Sequence, residues 1–241
     1  MKTIDTFWEK RNLGVTSVEV AIDAADSVEE IEKTLRSLNV QYQVIRSPVC
    51  RLDLYSTLCN MGFSFVETML NIYFDFDVFE INWGKYDDRV FYKELTEEKD
   101  METVYHHVLN GMFKNDRISL DQRFGQEAAN KRYMGMIQDK LAQGAKFCSL
   151  VNQDGRNIGF FGARETADKI YDFFLTGIYG EFQGKGFGSN TYTQALAYMK
   201  SKGAKIAVGR VSMNNAGSYK ISARSGFQLD CAEYLFVKHR A

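Results

Sequence analysis

Residues 175–189 read LTGIYGEFQGKGFGS. The stretch begins as an apolar strand, passes through a glycine-rich turn and continues into a helix that we predict over residues 189–200. Gly184, Gly186 and Gly188 remove side chains at alternate positions, so the backbone amides of the turn can point outward beside the positive end of the helix. Such a turn is suited to hold phosphate oxygens.

Three classes of phosphate-bearing ligand use glycine turns, and the residue spacing separates them. A triphosphate-binding Walker loop requires Ser or Thr after Gly-Lys, whereas Gly186 follows Lys185 here. A dinucleotide-binding fingerprint spaces its glycines G-x-G-x-x-G and is followed by an acidic residue at the end of the next strand. Here the spacing is G-x-G-x-G, and the next predicted strand ends in Arg-Val-Ser. Neither of these two classes fits.

Residues 183–188 (QGKGFG) resemble the Q/R-x-x-G-x-G/A signature of the GNAT acyltransferases, which holds the pyrophosphate of acyl-coenzyme A. A tight strand-to-helix turn without a ligand is the alternative. The resemblance is strengthened by Asn215, eleven residues before Gly226, where family members place an asparagine that contacts coenzyme A. The predicted order of strands and helices over residues 89–239 is also similar to theirs. The resemblance implies an α/β (α+β) GNAT fold with a mixed central sheet, and acetyl-CoA as acyl donor.

Composition excludes several other classes of protein. Lys+Arg number 30 against 31 Asp+Glu, so the net charge of −1 gives no general attraction to nucleic acid or to an anionic membrane. The first residues have no secretory apolar core, and no stretch reaches about 18 uninterrupted apolar residues, so we expect a cytoplasmic protein. The cysteines lack metal-like spacing, so we expect no metal site and reduced core thiols. They are Cys50, Cys59, Cys148 and Cys231.

The alternation of strands and helices predicts two parts, residues 1–84 and 85–241, with a boundary in the polar segment at residues 83–88. In the first part we predict strands over residues 15–22, 40–46 and 63–76, and helices over residues 26–38 and 51–60. In the second part we predict strands over residues 89–95, 146–152, 157–164, 169–179 and 204–211, helices over residues 96–109, 121–143, 189–200 and 216–225, and two short strands ending near Val237. Both parts contain a short helix that stops at Gly-Phe before a strand. The N-terminal αβ part therefore resembles a partial GNAT half without the glycine turn.

A closer resemblance, to GNAT enzymes that acetylate nucleotide-linked amino sugars, extends over most of the chain. It rests on residues 54–67, on residues 116–133 and on the C-terminal helix at residues 213–226. It implies a dTDP-4-amino-4,6-dideoxyhexose as acceptor, whose diphosphate would need Arg or Lys. The candidate acceptor contacts are Arg117, Arg123 and Tyr133, each of which could instead be a solvated helix residue.

The family resemblance also implies how the acyl donor is held. The strand at residues 169–179 separates from the strand at residues 204–211, and the pantetheine arm lies in the gap against backbone groups near Gly177 and Ile178. The pyrophosphate would then lie on the turn. The remaining implied cofactor contacts are Gln183, Gly184, Lys185, Gly186, Phe187, Gly188, Ser189, Asn215 and Ser218.

In this family an amine held opposite the thioester attacks the acyl carbon directly. Many relatives place a Tyr four residues before the Gly of the Gly-Phe pair as proton donor for the thiolate, but this sequence has Ser222, which is shorter and less acidic. Tyr219, one helical turn earlier, could replace it or could be a packing residue. Asp172, on the strand that leads to the turn, is the candidate base; a solvent-facing role is its alternative.

Two other functions remain open. The same fold could act on a different amine, such as an amino acid, a peptide N-terminus or an antibiotic. The missing Tyr at position 222 also keeps open a non-catalytic acyl-CoA-binding module. An exposed edge strand at either end of the sheet could support a homodimer.

Overall fold

The structure is a computed structural model that describes residues 1–82 and 89–240. Ten strands and seven α-helices occur in these residues. The strands are β1 (Lys2–Asp5), β2 (Ser17–Ala21), β3 (Tyr42–Pro48), β4 (Ser64–Asp75), β5 (Val90–Leu95), β6 (Lys146–Asn152), β7 (Asn157–Ala167), β8 (Ile170–Ile178), β9 (Ile206–Ser212) and β10 (Gln228–His239). The helices are α1 (Trp8–Leu13), α2 (Val28–Ser37), α3 (Leu52–Asn60), α4 (Glu102–Leu109), α5 (Gly125–Ala142), α6 (Gly188–Ser201) and α7 (Ala216–Arg224).

These strands form one mixed sheet in the order β1-β2-β3-β10-β4-β9-β8-β7-β6-β5. The β2–β3 and β8–β9 pairs are parallel, and the other pairs are antiparallel. The C-terminal strand β10 lies between β3 and β4, and β4 pairs in turn with β9. The two predicted parts therefore share one sheet. Their proposed boundary at residues 83–88 lies outside the described residues.

The central strands are covered on both faces, because successive side chains of a strand point to opposite sides. On β7, Phe161 packs edge-on against Tyr198 of α6, with ring centroids 5.7 Å apart. Its neighbour Phe160 faces the other way, toward Phe113 in the segment between α4 and α5. Burying each of these rings contributes about 1.5–3 kcal/mol.

Most predicted elements are present, with ends shifted by a few residues. Helix α2 begins where the sequence indicated, because the Ser27 side chain accepts a hydrogen bond from the Glu30 backbone amide. The predicted helix at residues 96–109 is divided into a 3-10 turn, Glu98–Met101, and α4. The long helix begins only at Gly125, because residues 121–124 form a turn in which the Phe124 amide donates to the Asp121 carbonyl.

Three predictions were wrong. The two short C-terminal strands are one 12-residue strand, β10, whose irregular pairing with β4 at Leu229/Cys231 and at Leu235/Phe236 interrupts the alternation of apolar residues. Strand β1 and helix α1 were missed; α1 buries the polar residues Glu9 and Asn12, so it lacks an apolar stripe. The cysteines are not all core residues. Only Cys148 is buried, whereas Cys50, Cys59 and Cys231 are exposed.

Candidate functional site

A gap opens between β8 and β9. Their parallel pairing runs from Ile170 opposite Ile206 to Phe173 opposite Gly209, while both strands continue beyond it. At the same point Phe174 is an extra residue in the β7–β8 register, a bulge that bends β8. The predicted separation of these two strands is thus confirmed, and the end of β8 has no strand partner on its β9 side within the described residues.

The glycine turn leads from the end of β8 to the start of α6. Gly184 and Gly186 have φ of +74° and +85°, and a Cβ on either would meet no atom within 4 Å. The turn therefore needs glycine for its backbone conformation and faces open space. Helix α6 is 14 residues long, and Phe187 at its N-cap gives it no side-chain hydrogen bond. Its first amides are left for another acceptor, beside the positive end of the helix dipole.

Other residues of the turn fix its position in the fold. Gln183 Nε2 donates to the carbonyl of Ile178 at 2.9 Å and so ties the turn to the end of β8. A Cβ on Gly188 would lie 2.7 Å from Ile221 Cδ1, so this glycine lets α6 approach α7 closely. Ser189 follows in the first turn of α6. Gln183 and Gly188 therefore have structural roles in addition to any contact with a ligand.

Three cations lie around the turn. Lys185 Nζ is 5.5 Å from the centroid of the Phe182 ring, and the Arg156 guanidinium is 4.7 Å from the same ring. The Arg89 guanidinium is 5.7 Å from the Phe187 ring. Arg156 comes from the β6–β7 connection and Arg89 from the start of β5, so no local motif could associate them with the turn. The three charges favour an anionic ligand.

Two of the residues implied for the cofactor lie at the start of α7, and one of them contacts α6. Asn215 Oδ1 accepts from the Ser218 amide at 3.1 Å and caps α7. The Ser218 hydroxyl is hydrogen-bonded to the Tyr192 hydroxyl of α6 at 2.6 Å. Both residues therefore lie beside the turn, and their contact with coenzyme A remains a prediction.

The two candidate proton donors differ in accessibility. Ser222 is 1% exposed, and its hydroxyl donates to the Tyr219 carbonyl at 2.9 Å. Its proton is therefore already held by its own helix. Tyr219 is 41% exposed and its phenol lies on a surface side chain. The structure therefore favours Tyr219 over Ser222, whose hydroxyl already donates within its own helix.

Asp172 lies in the part of β8 that is still paired with β9, opposite Val208, and not where the strands separate. Its Oδ2 accepts from Lys140 Nζ of α5 at 2.7 Å. The neighbouring ammonium compensates the negative charge of this carboxylate. Neither its place nor its partner suits a base beside the gap.

A second group of polar side chains lies on the other side of the gap. We call it the polar recess; it consists of Glu67, Asp116, Arg117, Tyr133 and Arg210. Glu67, on β4, is 3% exposed, and desolvation raises the pKa of its carboxyl although the nearby Ser212 hydroxyl and the Arg117 charge oppose the rise. Desolvation and the Asp116 carboxylate likewise raise the pKa of the Tyr133 phenol. Asp116, Arg117 and Arg210 act on the pKa of Glu67, and Glu67 acts on the pKa of Tyr133, so the group is centred on Glu67.

Several polar atoms of the recess are buried without a hydrogen-bond partner. They are Glu67 Oε2, Asp116 Oδ2 and Arg117 Nε. Over residues 1–82 and 89–240, no carboxylate lies within ion-pair distance of Arg117. Buried polar atoms are normally paired, because each unpaired one costs about 1–3 kcal/mol. The recess is therefore suited to a ligand that carries polar groups of both charges.

The recess reaches the gap through the segment between α4 and α5. Met112 packs so closely on Gly177 of β8 that a Cβ there would collide with the methionine side chain. The neighbouring Phe113 ring packs against Tyr133, with centroids 4.6 Å apart. On β4, Met69 lies two residues after Glu67 and is in register with Ser212 at the end of β9. The recess thus lies between the ends of β8 and β9.

The structure brings two of the three predicted acceptor contacts together. Arg117 and Tyr133 belong to the recess, whereas Arg123 is exposed and its backbone amide donates to Asp121. Glu67 was missed, because it lies on a strand of the N-terminal part whose sequence carries no motif. The only available signal was a carboxylate within a strand rich in aromatic and β-branched residues.

Comparisons with known proteins agree with this geometry. Residues 113–227 match the model of the acetyltransferase (GNAT) family, and they include the gap, the glycine turn and α7. No curated protein matches the sequence. In the part of the chain that the structure describes, none of the helices has the length and apolar character needed to cross a bilayer. Within the same residues, no group of three His, Cys, Asp or Glu side chains could hold a metal ion.

Solved structures show the same fold. A GCN5-related N-acetyltransferase from Sphaerobacter thermophilus is 13% identical with a TM-score of 0.63, over 88% of this chain and 64% of that chain. A conserved protein of unknown function from Staphylococcus epidermidis is 12% identical with a TM-score of 0.64, over 94% and 85%. A tandem GNAT protein from the clavulanic acid biosynthesis pathway is 12% identical with a TM-score of 0.58, over 92% and 75%.

At these identities the likeness to solved structures concerns the fold alone. The chain spans about two thirds of the length of the Sphaerobacter protein, 64%. The expected GNAT fold, with a mixed sheet flanked by helices, is confirmed. The family model covers just under half of the chain, residues 113–227.

Proposed function

We propose that this protein transfers an acetyl group from acetyl-CoA to the primary amine of a nucleotide-linked amino sugar. The sequence resembles TDP-fucosamine acetyltransferase, which motivates the choice of acceptor. The observation that carries the proposal is the gap between β8 and β9, which has the glycine turn at one side and the polar recess at the other.

The turn suits the diphosphate of acetyl-CoA. The amides of Gly184, Gly186 and Gly188 and the uncapped start of α6 would bind the phosphate oxygens, with Lys185 and Arg156 adding positive charge. Backbone groups near the end of β8 would pair with the pantetheine amides in the manner of an added strand. When bound, acetyl-CoA supplies the acetyl group as a reactive thioester.

The polar recess suits an acceptor that carries both charges. Arg117 is partly buried and has no carboxylate at ion-pair distance within the described chain, so its guanidinium could bind a phosphate in bidentate fashion. The carboxylates of Glu67 and Asp116 could bind an amine. A nucleotide-linked amino sugar presents a diphosphate and an amine on one molecule, whereas a polyamine has no anionic group for Arg117.

Positioning supplies much of the expected acceleration, because the two bound substrates react as if at an effective concentration of order 10⁵ M or more. Proton transfer adds typically ~10²–10⁴-fold. We assign the protonation of the leaving thiolate to Tyr219, since the Ser222 hydroxyl is buried and bound to its own helix.

The test is a screen of amino-sugar nucleotides with acetyl-CoA, followed by the release of free thiol. We expect release with dTDP-4-amino-4,6-dideoxygalactose and none with the corresponding dTDP-sugar that carries a hydroxyl in place of the amine. Release with amino acids or peptides alone would assign another acceptor. Binding of acetyl-CoA without release in the presence of any amine would instead identify an acyl-CoA-binding module.

A pair of variants tests the acceptor site independently. Arg117→Lys keeps the charge but loses bidentate geometry, so we expect the KM for the nucleotide sugar to rise at least tenfold with an unchanged KM for acetyl-CoA. Arg123→Lys is the matched control, because Arg123 is exposed outside the recess, and its KM values should match those of the wild type. Equal KM values in both variants would contradict the placement of the diphosphate.

A further inference from the structure

We propose that Glu67 is the general base of the reaction and accepts the proton of the acceptor amine. The inference rests on the proposed function, since it names the group that activates the amine of that acceptor. It would give the N-terminal part of the chain a catalytic residue in a site whose other contacts come from residues 113–227.

The position of Glu67 follows from the sheet register. Strand β4 pairs antiparallel with β9 up to Met69 opposite Ser212, and the Met213 amide donates to the Thr68 carbonyl. Glu67 is the next residue along β4, so it lies just beyond the end of β9. Because β8 and β9 are no longer paired at that level, the Glu67 side chain is close to the open gap.

The side chain also points to the correct face of the sheet. Glu67 influences the pKa of Tyr133, and the Phe113 ring packs on Tyr133. Phe113 and its neighbour Met112 cover Gly177 on β8. Glu67 and the end of β8 therefore face the same space, where an amine would approach the thioester.

The carboxyl group has unused hydrogen-bonding capacity. Glu67 is 3% exposed, and its Oε2 is buried without a hydrogen-bond partner. Lys140 binds Asp172, whereas no Lys or Arg forms an ion pair with Glu67 in the residues that the structure describes. An ammonium or amine N–H would satisfy this oxygen and remove the cost of leaving it unpaired.

The electrostatic surroundings suit a base. Desolvation raises the pKa of Glu67, and it outweighs the opposing effects of the Ser212 hydroxyl and of Arg117 and Arg210. Asp116 raises it further. The charged and titratable groups that face Glu67 are thus Asp116 and Arg117 from the α4–α5 segment, Tyr133 from α5 and Arg210 from β9. A carboxylate with a raised pKa is a better proton acceptor near neutral pH.

The chemical step balances with Glu67 in this role. The amine enters as an ammonium and transfers a proton to the Glu67 carboxylate. The neutral nitrogen then attacks the thioester carbon; a C–N bond forms and the C–S bond breaks. The sulfur leaves with the electron pair as a thiolate and takes one proton from Tyr219. The second amine proton, lost when the amide forms, replaces it, so one proton per turnover remains on Glu67 and passes to solvent. No oxidant or reductant is required.

The experiment compares Glu67→Gln with Glu233→Gln in the full chain, using the amine that the wild type acetylates in the thiol-release screen. Glu233 is a matched control on the same sheet face, because both of its oxygens are already paired with arginines. For Glu67→Gln we expect kcat to fall ~10²–10⁴-fold and the acid limb of the pH–rate profile to disappear. The Kd of acetyl-CoA, measured by calorimetry, should stay within about twofold of the wild type, which also reports correct folding. Glu233→Gln should retain the acid limb.

The remaining outcomes of this experiment each contradict one specific claim about the base. If the wild type acetylates an amine but Glu67→Gln keeps its acid limb and loses less than about threefold in kcat, Glu67 is not the base. His107 is the competing group, since it stacks on Tyr179 at 3.8 Å and desolvation lowers its pKa; loss of the limb in His107→Gln alone would assign the role to it. If Glu67→Gln fails to bind acetyl-CoA, the Glu67→Asp variant is measured in its place. A reduced kcat with the acid limb of the pH–rate profile retained supports the proposal, and an unchanged kcat refutes it. If the wild type acetylates no amine, the proposed function and this inference both fail.

Discussion

Replacing Gly186 tests whether the glycine turn binds a diphosphate. Gly186 has φ of +85°, and a Cβ there would meet no atom within 4 Å, so a new side chain would extend into the space assigned to the phosphates. We compare Gly186→Asp with Gly186→Asn, which have nearly the same shape. Both adopt the left-handed conformation at a similar cost of about 1–2 kcal/mol, so this cost cancels in the comparison.

The difference between the two variants is then electrostatic. Two unit charges about 5 Å apart interact with about 1.7 kcal/mol at an effective dielectric constant near 40, between the values for a protein surface and for water. Two negative charges on the diphosphate give about 3 kcal/mol, which corresponds to a Kd ratio of about 200. Calorimetry with acetyl-CoA should therefore show Gly186→Asp binding about 200-fold more weakly than Gly186→Asn.

Two controls separate this effect from a change in folding. The ratio should shrink toward 1 in about 1 M salt, where the Debye length is about 3 Å. Acetyl-pantetheine, which has no diphosphate, should bind both variants equally. Equal affinity of the two variants for acetyl-CoA at low salt would refute the placement of the diphosphate on this turn.

Three further predictions follow from the same structure. Ser222→Ala should change kcat less than about threefold, because the Ser222 hydroxyl is bound to the Tyr219 carbonyl. Tyr219→Phe should lower kcat at least tenfold with an unchanged Kd for acetyl-CoA. The reverse order of the two kcat losses in steady-state assays would reassign the proton donor. Gly188→Val should overpack the α6–α7 contact at Ile221 Cδ1 and lower the free energy of unfolding by about 1–3 kcal/mol. The Tm should fall by about 2–4 °C per kcal/mol, and adding Ile221→Ala should partly restore the Tm. An unchanged Tm in Gly188→Val would contradict the close approach of the two helices. The pKa of Glu67 is raised in the folded state. Above the ordinary Glu pKa the folded chain therefore binds more protons than the unfolded chain, and the free energy of unfolding falls as the pH rises through the folded-state pKa. Glu67→Gln should therefore raise Tm at pH 8 relative to the wild type and less so at pH 4, and a gain confined to pH 4 would contradict the sign.

Local patterns were enough to predict the turn and its neighbours. Gly184 and Gly186 occupy left-handed positions that few other residues adopt, and Ser27 caps α2 where a serine before acidic residues is expected. Each of these features depends on a few consecutive residues. The separation of β8 from β9 was inferred from the family resemblance and is confirmed by their register. The roles of Asn215, Ser218 and Arg117 toward ligands stay predictions.

Residues that act through distant partners could not be predicted. Asp172 looked like a base because it precedes the turn, but Lys140 of α5, 32 residues away in sequence, binds it. Ser222 stood at the family position of a proton donor, but its burial and its bond to the Tyr219 carbonyl depend on how α7 packs. Helix α1 was missed because its buried residues are polar, and Arg132, the partner of Glu9, lies on α5.

The sequence by itself determined where the glycine turn lies, because backbone conformation and helix capping are set by neighbouring residues. Only the tertiary structure decided which charged side chains meet in the polar recess. Insertion of β10 between β3 and β4, and of β4 beside β9, carries Glu67 of the N-terminal part to the end of β9. The charges of Asp116 and Arg117 in the α4–α5 segment act on the pKa of its carboxyl, and such effects between residues distant in sequence leave no periodic trace in the chain.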